Sequence, residues 1–280
     1  MIEGRSNRND GGQDTTAAVW AAVSGLTLGE AWLQRDEPKT PEIVAKYQDA
    51  VEQLARGVPF PYAVGRAGFR SLDLMCDARA LIPRPETEGL VDLVLQNAQG
   101  GLAADIGTGS GCIALALAVE GRFERIIAVE RSPGAAALAR LNVALVRPRP
   151  PVEIREGDLL APLAGSRLRV IVSNPPYLTE DDYDALDESV KAFEPREALV
   201  SGPDGLEATR ALLAGAAALL EPDGVLALEI DERRGDAVRA LAQAYGWTRI
   251  EVRDDIFGRP RYVVATPGHG PGVETTLEDE

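Results

Sequence analysis

From Leu102 to the end of the chain, short apolar runs alternate with longer amphipathic stretches. The runs at 102–106, 125–130, 152–156, 168–173, 224–230, 247–253 and 261–266 are rich in Val, Ile, Leu and Ala and are bounded by Gly, Pro or Asp, which predicts strands. Between them, apolar residues recur at helical spacing over 86–98, 111–120, 134–145, 205–220 and 235–245. Strand and helix in alternation imply an α/β, doubly wound, mostly parallel sheet. The last two strands are separated only by Phe257-Gly258-Arg259-Pro260, with no helix between them, and predict an antiparallel hairpin at one side.

Before this pattern the rhythm differs. Residues 1–13 are polar and Gly-rich, without periodicity, and predict a disordered tail whose I-E-G-R resembles a protease-cleavage linker left by cloning. Residues 14–66 predict a small helical N-terminal domain suited to docking a substrate. Its first helical stretch runs from Thr15 to Arg35 around Val19, Trp20, Val23 and Trp32. Its second opens with Thr40 as N-cap and Pro41 at the first position, with Ile43, Tyr47, Val51 and Leu54 on one face. Residues 67–82 alternate (Phe69, Leu72, Leu74, Cys76) and predict a β-hairpin connector; 83–267 hold the sheet domain, and 268–280 predict a disordered acidic tail.

Composition narrows the chemistry more than the fold. Hydrophobic residues make up 45% and charged residues 26%, as in ordinary globular proteins, and no apolar run is long enough for a bilayer. With no signal-like N-terminus, the expected location is the cytoplasm. The sole histidine, His269, lies in the polar tail, and Cys76 and Cys112 are the only cysteines. Ser-His-Asp and Cys-His hydrolases and His-ligated metal enzymes are thereby disfavoured, and no metal is expected. A net charge of −15 argues against avid nucleic-acid binding, for which a basic stripe is the usual footprint.

After the first parallel strand comes D-I-G-T-G-S-G, Asp105 to Gly111, which runs into an apolar helix. Glycines let the backbone approach a ligand closely, and a helix N-terminus offers unpaired N–H groups. The spacing of Gly107, Gly109 and Gly111 is GxGxG, whereas dinucleotide folds favour GxGxxG. With Asp105, Thr108 and Ser110 it resembles the first motif of S-adenosylmethionine-dependent methyltransferases. The second strand ends in Glu130, about 20 residues on, the spacing at which an acid accepts bonds from ribose hydroxyls. After the third strand, Asp158 and Leu159 stand where that enzyme class sets an acid by the adenine amine and an apolar residue by its ring.

The fourth parallel strand ends in N-P-P-Y, Asn174 to Tyr177. Pro175 and Pro176 lack N–H groups and stop the ladder. Asn174 offers one acceptor and two donors, and the Pro175 carbonyl is a second acceptor. Two acceptors at an angle fit the two hydrogens of an NH₂ group, and Tyr177 can stack on the planar group that carries it. Such a loop reads as a binder of a planar amine or amide, and beside the first motif it resembles the N-P-P-Y loop of methyltransferases that act on adenine, on guanine or on protein glutamine.

Four further stretches narrow that choice: G-V-P-F-P-Y-A-V-G-R-A-G-F (57–69), L-I-P-R-P-E-T-E (81–88), F-E-P-R-E-A-L-V-S-G-P-D-G-L (193–206) and D-D-I-F-G-R-P-R (254–261). In this order they resemble the peptide chain release factor glutamine methyltransferases, the PrmC/HemK type, over roughly residues 55–266. The resemblance implies a Rossmann-like S-adenosylmethionine-dependent methyltransferase fold. It implies that Asn174, Pro175, Pro176 and Tyr177 hold a glutamine side chain, with Asn174, Pro175 and Tyr177 in the catalytic part. Asp105, Gly107, Thr108, Gly109, Ser110, Gly111, Glu130, Asp158, Leu159 and Asn174 would then border S-adenosyl-L-methionine, which becomes S-adenosyl-L-homocysteine. The implied substrate is the Gly-Gly-Gln glutamine of release factors, with a ribosomal-protein glutamine or a nucleic-acid exocyclic amine as alternatives. Two departures stand out: the helical region before Gly57 is shorter than the family's, and Glu130 replaces the usual aspartate. The acidic run Thr179 to Glu188, beside N-P-P-Y, reads either as a helix start or as an electrostatic guide for a basic partner.

Overall fold

The computed structural model describes residues 10–268. The expectations for residues 1–9, which include I-E-G-R, and for 269–280, which include His269, lie outside them. Four helices come first: α1 (Asp10–Ser24), α2 (Leu28–Leu33), α3 (Pro41–Ala55) and α4 (Phe60–Val64). A hairpin of β1 (Arg66–Phe69) and β2 (Leu72–Met75) follows, then α5 (Pro85–Asn97). The main sheet is built from β3 (Leu102–Ile106), β4 (Arg125–Glu130), β5 (Val152–Glu156), β6 (Leu168–Ser173), β7 (Leu220–Glu229), β8 (Trp247–Asp254) and β9 (Pro260–Pro267). Its helices are α6 (Cys112–Glu120), α7 (Pro133–Val146), α10 (Glu207–Gly215) and α11 (Gly235–Ala244), and two short helices, α8 (Glu180–Asp184) and α9 (Glu188–Phe193), follow β6.

The strand order is β5-β4-β3-β6-β7-β9-β8. Strands β3 to β7 pair in parallel, while β9 is antiparallel to both β7 and β8. This is a Rossmann-like, doubly wound sheet with an antiparallel end. Side chains alternate across it with period two. Ala103, Ile126, Val170, Val172 and Ala227 face one core with α6, whereas Ala104, Ile127, Ile171, Leu226 and Leu228 face the other with α10 and α11. Helix α6, C-I-A-L-A-L-A-V-E, is apolar nearly all round because it is buried nearly all round.

The chain winds outward from β3 through β4 to β5 and then returns to β6 on the opposite side of β3. That reversal opens a crevice beyond the carboxyl ends of β3 and β6, where open α/β sheets bind ligands. Both the glycine turn and N-P-P-Y lie at this edge.

Several local expectations need correcting. Helix α1 begins at Asp10, inside the stretch assigned to a tail, since a helix anchored by packed residues such as Val19 and Ala21 extends at small cost through flanking residues. The stretch 15–35 is two helices. Gly25 adopts a left-handed φ of 67° that ends the first, and Thr27 with Glu30 forms a capping box for the second. The helix expected over 205–220 stops at Gly215, and β7 starts already at Leu220. The short α4, α8 and α9 have too few turns to register as periodicity.

The N-terminal helices pack through Trp20 and Tyr47, whose rings stack 4.1 Å apart. The hairpin is part of the main core: Phe69 and Leu74 are buried in it. Buried Asn142 of α7 clips the hairpin down, accepting from Met75 N (2.7 Å) and donating to the carbonyls of Met75 (3.0 Å) and Ser110 (2.9 Å).

Candidate active site

The glycine turn is braced from beneath. Asp105, the fourth residue of β3, is fully buried and accepts from Thr108 Oγ1 (2.5 Å) and from the N–H of Ala114 in α6 (3.1 Å). Burial pushes its carboxyl up to about 7, against the opposing pull of those two bonds. Asp105 therefore shapes the turn and does not line the cavity above it. Gly111 likewise serves packing, as the left-handed N-cap of α6 (φ 86°) against Ala139 and Leu115.

Gly107, Thr108, Gly109 and Ser110 do line that cavity. The N–H groups of Gly107 and Thr108 both donate to the Val129 carbonyl, which fixes the turn on β4. Gly107 has φ 69°, and a side chain there would stand in open space with no atom within 4 Å. At the end of β4, Glu130 Oε2 accepts from Gly109 N (2.9 Å) and Oε1 from Ser132 N (2.8 Å). The carboxylate thus ties the glycine turn to the start of α7 while keeping a cavity-lining position. Asp158 and Leu159 follow β5 on the same wall, and Leu159 takes a left-handed φ of 44°, unusual for a side chain with a γ-branch.

The cavity measures about 700 Å³, within the range of small-ligand sites, and runs from the glycine turn to Asn174. Asn174 and Pro176 line it. Pro175 is buried and Tyr177 half-buried, and neither lines it. The loop after Asn174 is pinned to a neighbouring segment: Tyr177 N (3.1 Å) and Leu178 N (2.9 Å) both donate to the Leu199 carbonyl, and Ser201 N donates to that of Leu178 (2.9 Å).

Two neighbours of Asn174, Thr87 and Glu229, went unread in the sequence. Asn174 Nδ2 donates to Thr87 Oγ1 (3.1 Å), and Thr87 Oγ1 donates to Glu229 Oε2 (2.7 Å). Burial pushes Glu229 up to about 7, although Thr87, Arg261 and the Asn174 amide all pull it down. Glu194, buried, accepts from Arg84 Nη2 (2.6 Å) and Ile82 N (3.3 Å), so F-E-P-R holds L-I-P-R against the cavity. The signal was present as a carboxylate closing an apolar strand (L-A-L-E) and as Thr87 within P-R-P-E-T-E, but neither carries spacing that names its partner.

The methyltransferase small domain model matches residues 86–196. The chain is 41% identical to the release factor glutamine methyltransferase of Xylella fastidiosa (strain 9a5c), over 89% of this chain and 91% of that protein. It is 40% identical to that of Moorella thermoacetica, over 88% and 87%. The chain belongs to the release factor glutamine methyltransferase family. Solved structures similar in fold include a methyltransferase from Pyrococcus furiosus (TM-score 0.55, 20% identity, 72% of this chain and 92% of that one). The hMettl16 catalytic domain in complex with the MAT2A 3'UTR hairpin 6 is another (TM-score 0.56, 15% identity, 83% of each).

Membership in a methyltransferase family implies S-adenosyl-L-methionine, and the site suits it. The open glycine turn leaves backbone free for close approach, Glu130 and Asp158 are acceptors suited to hydroxyl and amine donors, and Leu159 supplies an apolar wall. Among the described residues no group of three or more His, Cys, Asp or Glu side chains could hold a metal ion. Among the same residues no helix is long and apolar enough to cross a membrane.

Proposed function

We propose that this chain methylates the side-chain amide nitrogen of the glutamine in the Gly-Gly-Gln tripeptide of peptide chain release factors. The observation that carries the reading is the aim of Asn174. Its Nδ2 is turned inward to Thr87, so Oδ1 is the end left to meet an N–H donor at the cavity. An acceptor there suits an incoming NH₂ group, and the relatives' names supply the amide that bears it.

Gly107, Thr108, Gly109 and Ser110 would hold the cofactor's amino-acid end, Glu130 its ribose hydroxyls, and Asp158 with Leu159 its adenine. Asp105 and Gly111 keep that turn in shape. The cofactor, when bound, supplies an electrophilic methyl group on a sulfonium and is left as S-adenosyl-L-homocysteine.

Asn174 Oδ1 would accept one N–H of the glutamine amide, and the other would go to the carbonyl of Pro175, a residue that is itself buried off the cavity wall. Acceptors off the amide plane favour pyramidalisation of a nitrogen whose lone pair is otherwise delocalised, and they leave that lone pair facing the methyl. Tyr177 lies outside the cavity wall. In-line placement of two reactants is worth up to roughly 7–11 kcal/mol in well-oriented systems. None of these side chains would take the amide proton, which would be left to water.

The test is transfer of labelled methyl in a mixture of release factor, ribosomal protein and ribosomal RNA. Label on release factor alone supports the reading; label on RNA or on a ribosomal protein defeats it.

A further inference from the structure

We infer that Thr87 and Glu229 are positioning residues that decide which end of the Asn174 carboxamide faces the reacting amide. The inference rests on the reading of Asn174 as the acceptor of the glutamine NH₂, and it explains what that reading leaves open. The two ends of a carboxamide are nearly equal in size, so packing alone cannot choose between them. Turned the other way, Asn174 would present its own NH₂ to the NH₂ of the substrate, donor against donor, and binding would be lost.

The choice is made behind Asn174, out of solvent. Thr87 and Glu229 are each only 2% exposed. Thr87 is placed in the first turn of α5, which Pro85 starts. Glu229 closes β7, one position beyond the pairing of Ser173 with Leu228, and so stands across from Asn174. Above about pH 7 Glu229 is ionised and can only accept, so there it takes the single hydroxyl proton of Thr87 at 2.7 Å. Thr87 Oγ1 can then only accept from Asn174, which it does from Nδ2 at 3.1 Å. Donation runs one way along the three residues, from Asn174 to Thr87 to Glu229, and Oδ1 is left outward. Removing the hydroxyl takes away the acceptor that Nδ2 bonds at 3.1 Å while leaving the pocket's shape, and only the pull between the Asn174 amide and Glu229 remains.

Thr87→Val keeps the branched side chain and loses the hydroxyl; Thr87→Ser keeps the hydroxyl. The first measurement needs no substrate: hydrogen exchange of the Asn174 side-chain NH₂, followed by nitrogen-15 NMR. Protection is expected in the wild type, lost in Thr87→Val and regained in Thr87→Ser. The second is single-turnover methylation of release factor beside calorimetric cofactor binding. Thr87→Val should slow turnover by about 10- to 100-fold, the scale of a misaligned reacting group, with the cofactor Kd changed less than about threefold. Thr87→Ser should recover most of that loss.

Equal exchange in wild type and Thr87→Val overturns the inference whatever the substrate proves to be, as does Thr87→Val turning over at the wild-type rate. Equal slowing by both variants also overturns it, since packing rather than the hydroxyl would then matter. A wild-type protein that protects the Asn174 amide yet leaves release factor unmethylated sustains the orientation and defeats the substrate reading alone.

Discussion

A β-carbon on Gly205 would lie 2.4 Å from the carbonyl oxygen of Tyr177, closer than any real contact of that kind. Gly205 also has a left-handed φ of 70°, so its lack of a side chain serves both backbone shape and close approach to the acceptor loop. Gly205→Ala should push N-P-P-Y off its seat. The expected result is a turnover reduced at least ~10-fold with cofactor affinity within about threefold, measured by single turnover and calorimetry. An alanine variant with normal turnover would show that the loop tolerates displacement.

Glu130 has two jobs that one substitution can separate. Its carboxylate braces Gly109 and Ser132, and in the proposed complex it also accepts ribose hydroxyls. Glu130→Ala should weaken cofactor binding by roughly 1.5–3 kcal/mol, the range for losing a charged acceptor. Glu130→Asp keeps the charge on a shorter side chain, so it should recover part of that loss. An unchanged dissociation constant in Glu130→Ala would place the ribose elsewhere.

Glu229 gives the fold a pH dependence of known sign. Its ordinary value is 4.5, and burial raises it to about 7 in the native state. Between those values the native state holds the extra proton, so the stability linked to Glu229 is full below about 4.5 and lost as pH rises through about 7. Glu229→Gln does not titrate. Its stability relative to wild type, read from urea unfolding, should therefore improve from pH 5 to pH 8, by up to a few kcal/mol at about 1.4 kcal/mol per unit. Parallel pH profiles would mean that Glu229 is not perturbed.

Much of this architecture was legible because it rests on local rules. The parallel strands announced themselves as apolar runs between turn residues, and β3 to β6 match their expected bounds. The glycine turn and N-P-P-Y were found because each carries its chemistry in adjacent residues. What was not legible depends on distance along the chain. Thr87 and Glu229 are 142 positions apart, and Arg84 and Glu194 are 110 apart, so only the assembled sheet shows their pairing. Tyr177, read as stacking on a ligand's planar group, is not among the residues that line the cavity, and its backbone N–H is held by the Leu199 carbonyl.

The acidic run after N-P-P-Y shows the same limit. In sequence it carries no neighbouring base, yet Asp182 pairs with Arg233 (2.9 Å) and Arg234 (2.6 Å), and Glu180 with Arg196. Asp182 also closes a capping box with Thr179, and Asp187 caps α9. Burial draws the Asp182 carboxyl upward, but the bonds from Arg234 and Thr179 hold it well below the ordinary carboxylate range. Asp182→Asn should thus cost about 1–3 kcal/mol of stability in urea unfolding. A steering role toward a basic partner would fall to Asp181 and Asp184. Neutralising these two should flatten the salt dependence of kcat/KM for whole release factor without changing cofactor affinity. An unaltered salt response would confine the acidic run to capping α8.

The central claim is that Asn174 aims a release-factor glutamine amide at the methyl group. Fragment mass spectrometry of a release factor incubated with the protein and S-adenosyl-L-methionine tests it most directly, with Asn174→Ala run in parallel. The account predicts one added methyl on the side-chain nitrogen of the Gly-Gly-Gln glutamine with the wild type. With Asn174→Ala the rate should fall at least ~100-fold while calorimetry finds cofactor affinity within about an order of magnitude. A methyl on any other residue, or undiminished glutamine methylation by Asn174→Ala, would contradict it.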